Sequence, residues 1–229
     1  MLIVRRSKDR GYTRIDWLES YHSFSFGEYY DPRFQNFGKL LVINDDVIAP
    51  SKGFGFHPHQ DMEIVTLMLS GSLQHEDSEK NKEIITEGQV QRMSAGTGVL
   101  HSEVNASKEK EARLLQIWVL PEKKGLRPEY ESAEFVWEKN QTVKIVSGKD
   151  GNGLVKMHQN AEFIIGYFSE GKEFSWHARE GHGAYLFVIE GIVEVAGHVL
   201  RMRDAIATDE SMLVRVTEDA KFLLIDVPL

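Results

Sequence analysis

The sequence predicts an all-β protein made of two β-barrels of similar size packed together. Short runs rich in β-branched and aromatic residues recur between turn residues, and none of these runs shows the 3.6-residue spacing of an amphipathic helix. A change in composition near residue 120 divides the runs into two series. A segment of the first series also aligns with a segment of the second, which indicates that one β-unit was duplicated.

The predicted strands are short, because each run is only long enough for a single strand. The first series predicts strands at residues 40–43, 63–69, 73–75, 83–86, 90–93 and 114–120. The second series predicts strands at residues 143–146, 163–168, 185–189, 192–195, 212–216 and 222–227.

The two series are separated by a stretch of different composition. After residue 120 come two prolines, a glycine and an acidic stretch. Proline and glycine interrupt regular strands, so this stretch is predicted to connect two units. The predicted domains are residues 1–120, which include an N-terminal aromatic stretch, and residues 141–229, with a linker over residues 121–140.

The proposed duplication is visible at a single offset. Residues 64–71, IVTLMLSG, align without a gap with residues 184–191, AYLFVIEG, and the segments close on Gly71 and Gly191. The offset is 120 residues. Two units of one fold can keep the same architecture while their sites diverge.

Composition excludes several classes of function. The net charge of -8 would repel a phosphate backbone, so nucleic acid is not an expected partner. Cysteine is absent, so a metal would have to be held by His, Asp or Glu. No apolar run approaches the ~20 residues that span a bilayer, and we expect no signal peptide and no membrane anchor. The expected location is the cytoplasm.

The first candidate site is the segment His57-Pro58-His59. Side chains alternate between the two faces of an extended strand, so both imidazoles would lie on one face and could bind one ion. Pro58 has no N–H and suggests an edge or bulged strand. Glu63 is a further candidate, because alternate residues counted from His57 (57, 59, 61, 63) share one face if the strand continues. It would be either a partner that orients a histidine or a surface carboxylate.

A second pair follows a glycine-rich turn. His101 and Glu103 are again two residues apart on a predicted strand, and all four side chains converge if the two strands are neighbours. Three imidazoles and a carboxylate suit Fe, Mn, Co, Ni, Cu or Zn rather than Ca or Mg, and the spacing does not choose among them. The remaining histidines lack such spacing and are assigned no role: His22, His75, His158, His177, His182 and His198.

These motifs resemble those of a known family. Two motifs are similar to those of the cupin superfamily, and their specific form, His-Pro-His with a later Ser-Ala-Gly-Thr-Gly-x-x-His-Ser-Glu, resembles the pirins. The match is dense over residues 15–121 and sparse beyond. The positions that carry it are His57-Pro58-His59, Glu63, Gly71, Gly88, Gly98, His101, Asn105, the segment HSFSF at residues 22–26 and QIW at residues 116–118.

The resemblance implies a bicupin, in which two jelly-roll-like β-barrels face each other and a single metal, usually iron, lies in the first. The pirin ligands fall on His57, His59, His101 and Glu103. The generic cupin pattern would use Glu63 as the carboxylate ligand instead, and we assign Glu103 because the His-Ser-Glu form is that of the pirins.

The second repeat departs from the metal-binding pattern. At the offset of 120 residues His57 becomes His177, but His59 becomes Arg179 and Glu63 becomes Gly183. The second barrel is therefore expected to hold no metal and to serve a structural role.

The resemblance implies an enzyme, a metal-dependent dioxygenase similar to pirin-type quercetinases. These open the central ring of a flavonol such as quercetin with O2. The cofactor would be one divalent transition metal, Fe(II) first and Mn, Co, Ni, Cu or Zn as alternatives, and Glu103 would be the catalytic base. The alternative is a non-catalytic regulatory module, in which the iron reports redox state to a protein partner. A sugar isomerase or storage-type cupin is disfavoured by the His-Ser-Glu form and the degenerate second site.

Overall fold

Strands dominate the computed structural model, which describes residues 1–149 and 151–229. A 3-10 turn spans Ser7–Asp9, and the described residues form no helix long and apolar enough to cross a membrane. The strands of the first half are β1 (Leu2–Arg5), β2 (Gly11–Ile15), β3 (Leu18–His22), β4 (Leu40–Ile48), β5 (Gly53–His59), β6 (Glu63–Ser70), β7 (Ser72–Asp77), β8 (Lys82–Thr86), β9 (Gln89–Ser94), β10 (Val99–Asn105) and β11 (Ala112–Val119).

The second half is equally rich in strands, so the predicted all-β class is confirmed. Its strands are β12 (Glu129–Glu134), β13 (Gln141–Gly148), β14 (Val155–Met157), β15 (Glu162–Phe168), β16 (Glu173–Trp176), β17 (His182–Val195), β18 (His198–Arg201), β19 (Ala205–Thr208) and β20 (Met212–Pro228).

The first half is built from two sheets. Seven strands pair in the order β12-β9-β6-β11-β4-β3-β2, and four pair in the order β5-β10-β7-β8. Apolar side chains from both sheets meet between them, among them Met68 of β6, Leu73 of β7 and Ile85 of β8. This sandwich places β5 and β10, the strands of the two histidine motifs, side by side in the smaller sheet.

The second half forms one nine-stranded sheet with the main order β1-β19-β17-β20-β15-β13-β14, to which β16 and β18 add at β20 and β17. In two places the sequence predicted two strands where the structure has one continuous strand, so these predictions of separate strands are wrong. Residues 185–189 and 192–195 lie on the single strand β17, and residues 212–216 and 222–227 lie on β20. Shifts of register near Glu190 and Ile192 bend these strands without ending them. The exposed polar residues at such a bend resemble those of a turn, which is why the sequence predicted a break in each strand.

The halves exchange edge strands. Strand β12, within the stretch predicted as a linker, pairs with β9 of the first half, and β1 pairs with β19 of the second. Both additions cover an edge that would otherwise expose unpaired backbone groups. The domain limits at residues 120 and 141 stay a prediction.

The two halves share one hydrophobic core. Alternate residues of β11, Leu115, Ile117 and Val119, join a buried cluster that includes Phe163 and Phe187 of the second half. The intervening residues of β11 face the interior of the first half, as the two-residue period of a strand requires. The central strands β6 and β11 of the seven-stranded sheet are therefore buried on both faces, which explains their nearly continuous apolar runs.

The aligned segments of the two halves end on glycines with the same backbone conformation. Gly71 and Gly191 both have left-handed backbone conformations, with φ of 76° and 77°. A Cβ at Gly71 would lie 2.5 Å from the carbonyl oxygen of Glu111, and one at Gly191 would lie 2.0 Å from that of Asp219. The strand order β9-β6-β11-β4 is matched by β19-β17-β20-β15. Both glycines are needed for close backbone approach.

We expect Gly191→Ala to destabilise the protein more than Gly171→Ala. Both glycines have the same left-handed backbone, with φ of 77° and 78°, but nothing lies within 4 Å of a Cβ at Gly171. The control should cost only the backbone strain, of order 1–3 kcal/mol, and Gly191→Ala should add a steric penalty to it. Urea unfolding of both variants measures the difference. Equal losses would contradict the close approach.

Candidate metal centre

The pairing of β5 with β10 positions the histidines. In this antiparallel pair His57 lies directly opposite His101, and His59 lies opposite Val99. Because His57 and His59 share one strand face, all three imidazoles reach the same side of the smaller sheet. His101 is buried, whereas His57 and His59 are partly exposed.

The three histidines are spaced as ligands of a single ion. One ring nitrogen from each of His57, His59 and His101 lies within 4.8 Å of the others. The Nε2 atoms of His57 and His101 are 3.0 Å apart. Two ligands about 2.1 Å from a metal and at right angles to each other are about 3 Å apart, so the observed separation fits a transition metal. The structure thus contains a candidate metal-binding site in the first half.

The imidazoles have lone pairs available for a metal. The Nδ1–H of His57 donates to the carbonyl oxygen of Gly55 at 2.8 Å, which leaves the His57 Nε2 lone pair free. Burial, with the neighbouring imidazoles, lowers the pKa of His59 to about 4 and that of His101 to about 3. Both rings are therefore neutral at pH 7, the state in which imidazole binds metals.

Glu103 lies beside this group and is held by amide donors. Its Oε1 accepts a hydrogen bond from Gln91 Nε2 at 2.7 Å, and its Oε2 accepts one from Gln116 Nε2 at 2.6 Å. A second group of potential ligands joins Glu103 to His75 and His101, again within 4.8 Å. The structure therefore brings together three of the four predicted ligands, and Glu103 belongs to an overlapping group that shares His101. Its roles as ligand and base stay a prediction.

Glu63 is buried but lies elsewhere. Its carboxylate accepts a hydrogen bond from Ser94 Oγ at 2.8 Å, and Arg92 donates to the same hydroxyl. Burial raises the pKa of Glu63. Among residues 1–149 and 151–229 it joins neither histidine group. The prediction that Glu63 shares a strand face with His57 is wrong, because β5 ends at His59 and the chain turns at Asp61, whose φ is 50°.

A cavity of about 440 Å³ opens on the three histidines. Its apolar walls include Phe26, Phe54, Ile64 and Trp118. Small-molecule sites typically measure about 300–1,000 Å³ and combine apolar walls with a few polar groups. The cavity therefore has the size and lining of a site for a small organic ligand.

Sequence reasoning missed the polar wall of this cavity. Ser20 and His22 of β3 pair across the strands with Asp46 and Asn44 of β4, and all four line the cavity. The Ser20 hydroxyl donates to Asp46, and His22 Nδ1 lies 2.8 Å from Asn44 Oδ1. Burial raises the pKa of Asp46 to about 7. The two-residue spacing on each strand was a usable signal, but no motif linked β3 with β4.

Both halves of the chain match known protein families. The family model for pirin matches residues 4–119, and that for the quercetinase C-terminal cupin domain matches residues 144–227. The chain belongs to the pirin family. This pirin is 38% identical to quercetin 2,3-dioxygenase of Escherichia coli strain K12, over 100% of this chain and 99% of that relative.

Solved structures agree with this assignment. The bacterial pirin YhhW from Escherichia coli in complex with nickel(II) is 37% identical, with a TM-score of 0.94 over 100% of this chain and 99% of that one. Quercetin 2,3-dioxygenase from Acinetobacter baumannii is 25% identical, with a TM-score of 0.80 over 98% of this chain and 85% of that one. The predicted bicupin fold and the resemblance to the pirins are confirmed. Hydrogen bonding closes none of the three sheets into a barrel within the described residues.

We expect this pirin to bind one transition-metal ion per chain and His59→Ala to abolish stoichiometric binding. The variant removes one of three converging imidazoles from a partly exposed position, so the fold should survive. Metal analysis after loading and gel filtration measures the stoichiometry. The control is His177→Ala, which changes the exposed counterpart of His57 at the offset of 120 residues. Full occupancy in His59→Ala would remove His59 from the site.

We also expect Asp46→Asn to change the pH dependence of stability. The folded-state pKa of about 7 lies above the ordinary value near 4. The stabilising contribution of neutral Asp46 is therefore complete below about pH 4 and is lost as the pH rises toward 7. Relative to the unmodified protein, Asp46→Asn should gain up to about 1.4 kcal/mol per pH unit over that interval.

Urea unfolding at pH 5, 6 and 7 measures this gain. Asp16→Asn, at an exposed aspartate, is the matched control and should show a constant difference from the unmodified protein. A constant difference for Asp46→Asn as well would show that Asp46 is ionised in the folded state.

Proposed function

We propose that this pirin is a metal-dependent dioxygenase that cleaves flavonols such as quercetin. The observation that carries the proposal is the position of the three-histidine group at the wall of a cavity of about 440 Å³. The name of the relative that is 38% identical over the whole chain supports the same reaction. In this reaction O2 adds both of its atoms to the organic product, two bonds of the central ring break, and one ring carbon leaves as carbon monoxide. No external reductant is required.

We propose Fe(II) as the native metal. Imidazole and carboxylate donors suit Fe as well as Mn, Co, Ni, Cu or Zn, and resemblance to the pirins favours iron. His57, His59 and His101 would hold the ion, with Glu103 as a fourth ligand. When bound, the metal would accept the flavonol hydroxylate and mediate electron transfer between the flavonol and O2.

The apolar walls would hold the aromatic rings of the substrate and exclude water. The rings of Phe26 and Trp118 meet edge to face, with centroids 5.4 Å apart, and Trp118 also packs edge to face against His59 at 4.9 Å. The indole N–H of Trp118 is buried and has no partner among the described residues.

Glu103 would take the proton of the flavonol 3-hydroxyl. Gln91 and Gln116 fix its orientation, and it is the only carboxylate that shares a potential ligand group with His101 among the described residues. Transfer of the hydroxyl proton to a carboxylate oxygen leaves the flavonol as an anion. The polar wall around Asp46 and His22 would bind hydroxyl groups at the other end of the substrate.

We expect the metal-loaded protein to consume O2 with quercetin and to release carbon monoxide. Oxygen uptake and carbon monoxide should be equimolar with the quercetin consumed, and His59→Ala should lose both together with its metal. An oxygen electrode and a haemoglobin assay for carbon monoxide measure the two gases. If Fe-, Mn-, Co-, Ni- and Cu-loaded samples all leave quercetin and related flavonols unchanged, the regulatory alternative replaces the enzyme.

We expect Glu103→Gln to retain metal but lose about 100-fold or more in turnover. The amide keeps the size of the side chain and one ligand oxygen but removes the base, and a positioned base typically contributes 10²–10⁴-fold. Steady-state kinetics are measured on samples of equal metal content. Glu63→Gln is the matched control, because it changes a buried carboxylate outside both histidine groups. Turnover near that of the unmodified protein in Glu103→Gln would remove Glu103 from the mechanism.

A further inference from the structure

A buried histidine–aspartate pair lies behind the metal-binding group. His75 and Asp77 are on β7, which pairs with β10 so that Asp77 lies opposite His101 and His75 lies opposite Glu103. The side chains of His75 and Asp77 are 0% and 1% exposed. His75 Nε2 lies 3.1 Å from Asp77 Oδ2.

Two buried ring nitrogens in this region lack hydrogen-bond partners. They are Nδ1 of His75 and Nδ1 of His101, and neither has a partner among the described residues. The two ring centroids are 5.3 Å apart. Two imidazoles joined by an N–H···N bond have centroids about 5 Å apart, given the usual donor–acceptor distance near 3 Å. A small rotation of the rings would satisfy both atoms at once.

The protonation states of the two rings are complementary. Both oxygens of Asp77 act as acceptors, because the backbone N–H groups of Glu79 and Asn81 donate to Oδ1 and the Asn81 side-chain amide donates to Oδ2. A carboxylate only accepts, and His75 must therefore donate from Nε2 and present a lone pair at Nδ1. His101 binds an ion through Nε2 when it joins His57, and it then carries its proton on Nδ1. An unpartnered donor on one ring thus matches an unpartnered acceptor on the neighbouring ring, whose centroid is 5.3 Å away.

We propose that Asp77 and His75 form a hydrogen-bonded relay that holds His101 in its metal-binding tautomer and strengthens it as a ligand. Both are positioning residues, because they act on the ion only through His101. When a ligand imidazole donates its other ring N–H to an acceptor, the hydrogen bond fixes the orientation of the ring and raises its basicity. A more basic ligand stabilises the higher charge of a redox-active ion, so the relay would lower the Fe(III)/Fe(II) reduction potential.

The neighbouring residues hold the relay in place. The ring of Tyr130 stacks on His75 with a centroid distance of 4.5 Å and an interplanar angle of 22°. Asp77 Oδ1 accepts hydrogen bonds from the backbone N–H groups of Glu79 and Asn81. Oδ2 of Asp77 faces His75 and also accepts a hydrogen bond from Asn81 Nδ2 at 2.9 Å. Asp77 therefore joins the turn to His75.

Asp77→Asn and His75→Phe test the relay in two ways. Asparagine can keep Oδ1 on the backbone donors, but its amide N–H₂ replaces Oδ2 and also removes the acceptor of the Asn81 side-chain hydrogen bond. The amide would donate to His75 Nε2 and move the His75 proton to Nδ1, where it would oppose the N–H of His101. His75→Phe removes the relay but keeps a ring for stacking on Tyr130. Glu76→Gln is the matched control, because Glu76 is the intervening residue of β7, points away and pairs with Lys82.

The experiment measures metal affinity and reduction potential for the full-length protein and these three variants. Affinity for Co(II) is obtained by competition with a chelator, and the potential of the iron-loaded protein by redox titration. We expect Asp77→Asn and His75→Phe to weaken Co(II) binding about 10- to 100-fold and to raise the potential, whereas Glu76→Gln leaves both unchanged.

The outcome does not depend on flavonol cleavage, because neither readout uses a substrate. Unfolding of the metal-free variants shows whether the turn has survived. If Asp77→Asn unfolds, His75→Phe decides the question. Affinity and potential like those of the unmodified protein in His75→Phe would overturn the proposal, and so would equal changes in Glu76→Gln.

Discussion

The register between β5 and β10 is the constraint on which the site depends. This register places His57 opposite His101. On its other side β10 pairs with β7, so β10 lies between β5 and β7 in the small sheet. Because side chains alternate along a strand, a slip of one residue would turn His101 and Glu103 to the other face. Val99, His101, Glu103 and Asn105 are all buried. A slip would expose Val99 and break the hydrogen bonds that Glu103 accepts from Gln91 and Gln116, so these contacts favour the observed register. The candidate metal site therefore depends on correct strand pairing.

Burial controls the chemistry of this site as much as proximity does. The interior lowers the pKa of His59 and His101, and three imidazoles close together would repel one another if protonated. Glu103 is tolerated in the same interior because amide groups of Gln91 and Gln116 donate to both of its oxygens. An arginine partner would neutralise the charge of a carboxylate. Neutral amide donors satisfy its hydrogen bonds but leave the negative charge available to a cation.

The second half supports the first without supplying a histidine group of its own within the described residues. Its sheet packs against the outer face of the seven-stranded sheet, where Leu115 and Ile117 of β11 meet Phe163 and Phe187. That contact leaves the inner face of β11 to position Gln116 and Trp118 in the cavity. The exchange of β1 and β12 ties the halves together further. The two halves share a related strand order, and the candidate metal centre described above lies in the first.

The sequence by itself determined the all-β class, the pirin relationship and the three histidines that converge. These features are written locally, in period-two spacing and in contiguous motifs such as His57-Pro58-His59. Tertiary structure alone decided which strands are neighbours, because pairing joins residues far apart in the chain. It brought unassigned His75 to the back of His101, and it made a cavity wall from His22 and Asp46. It also moved Glu63 away from the histidines, since a turn at Asp61 interrupts the alternation on which the prediction relied.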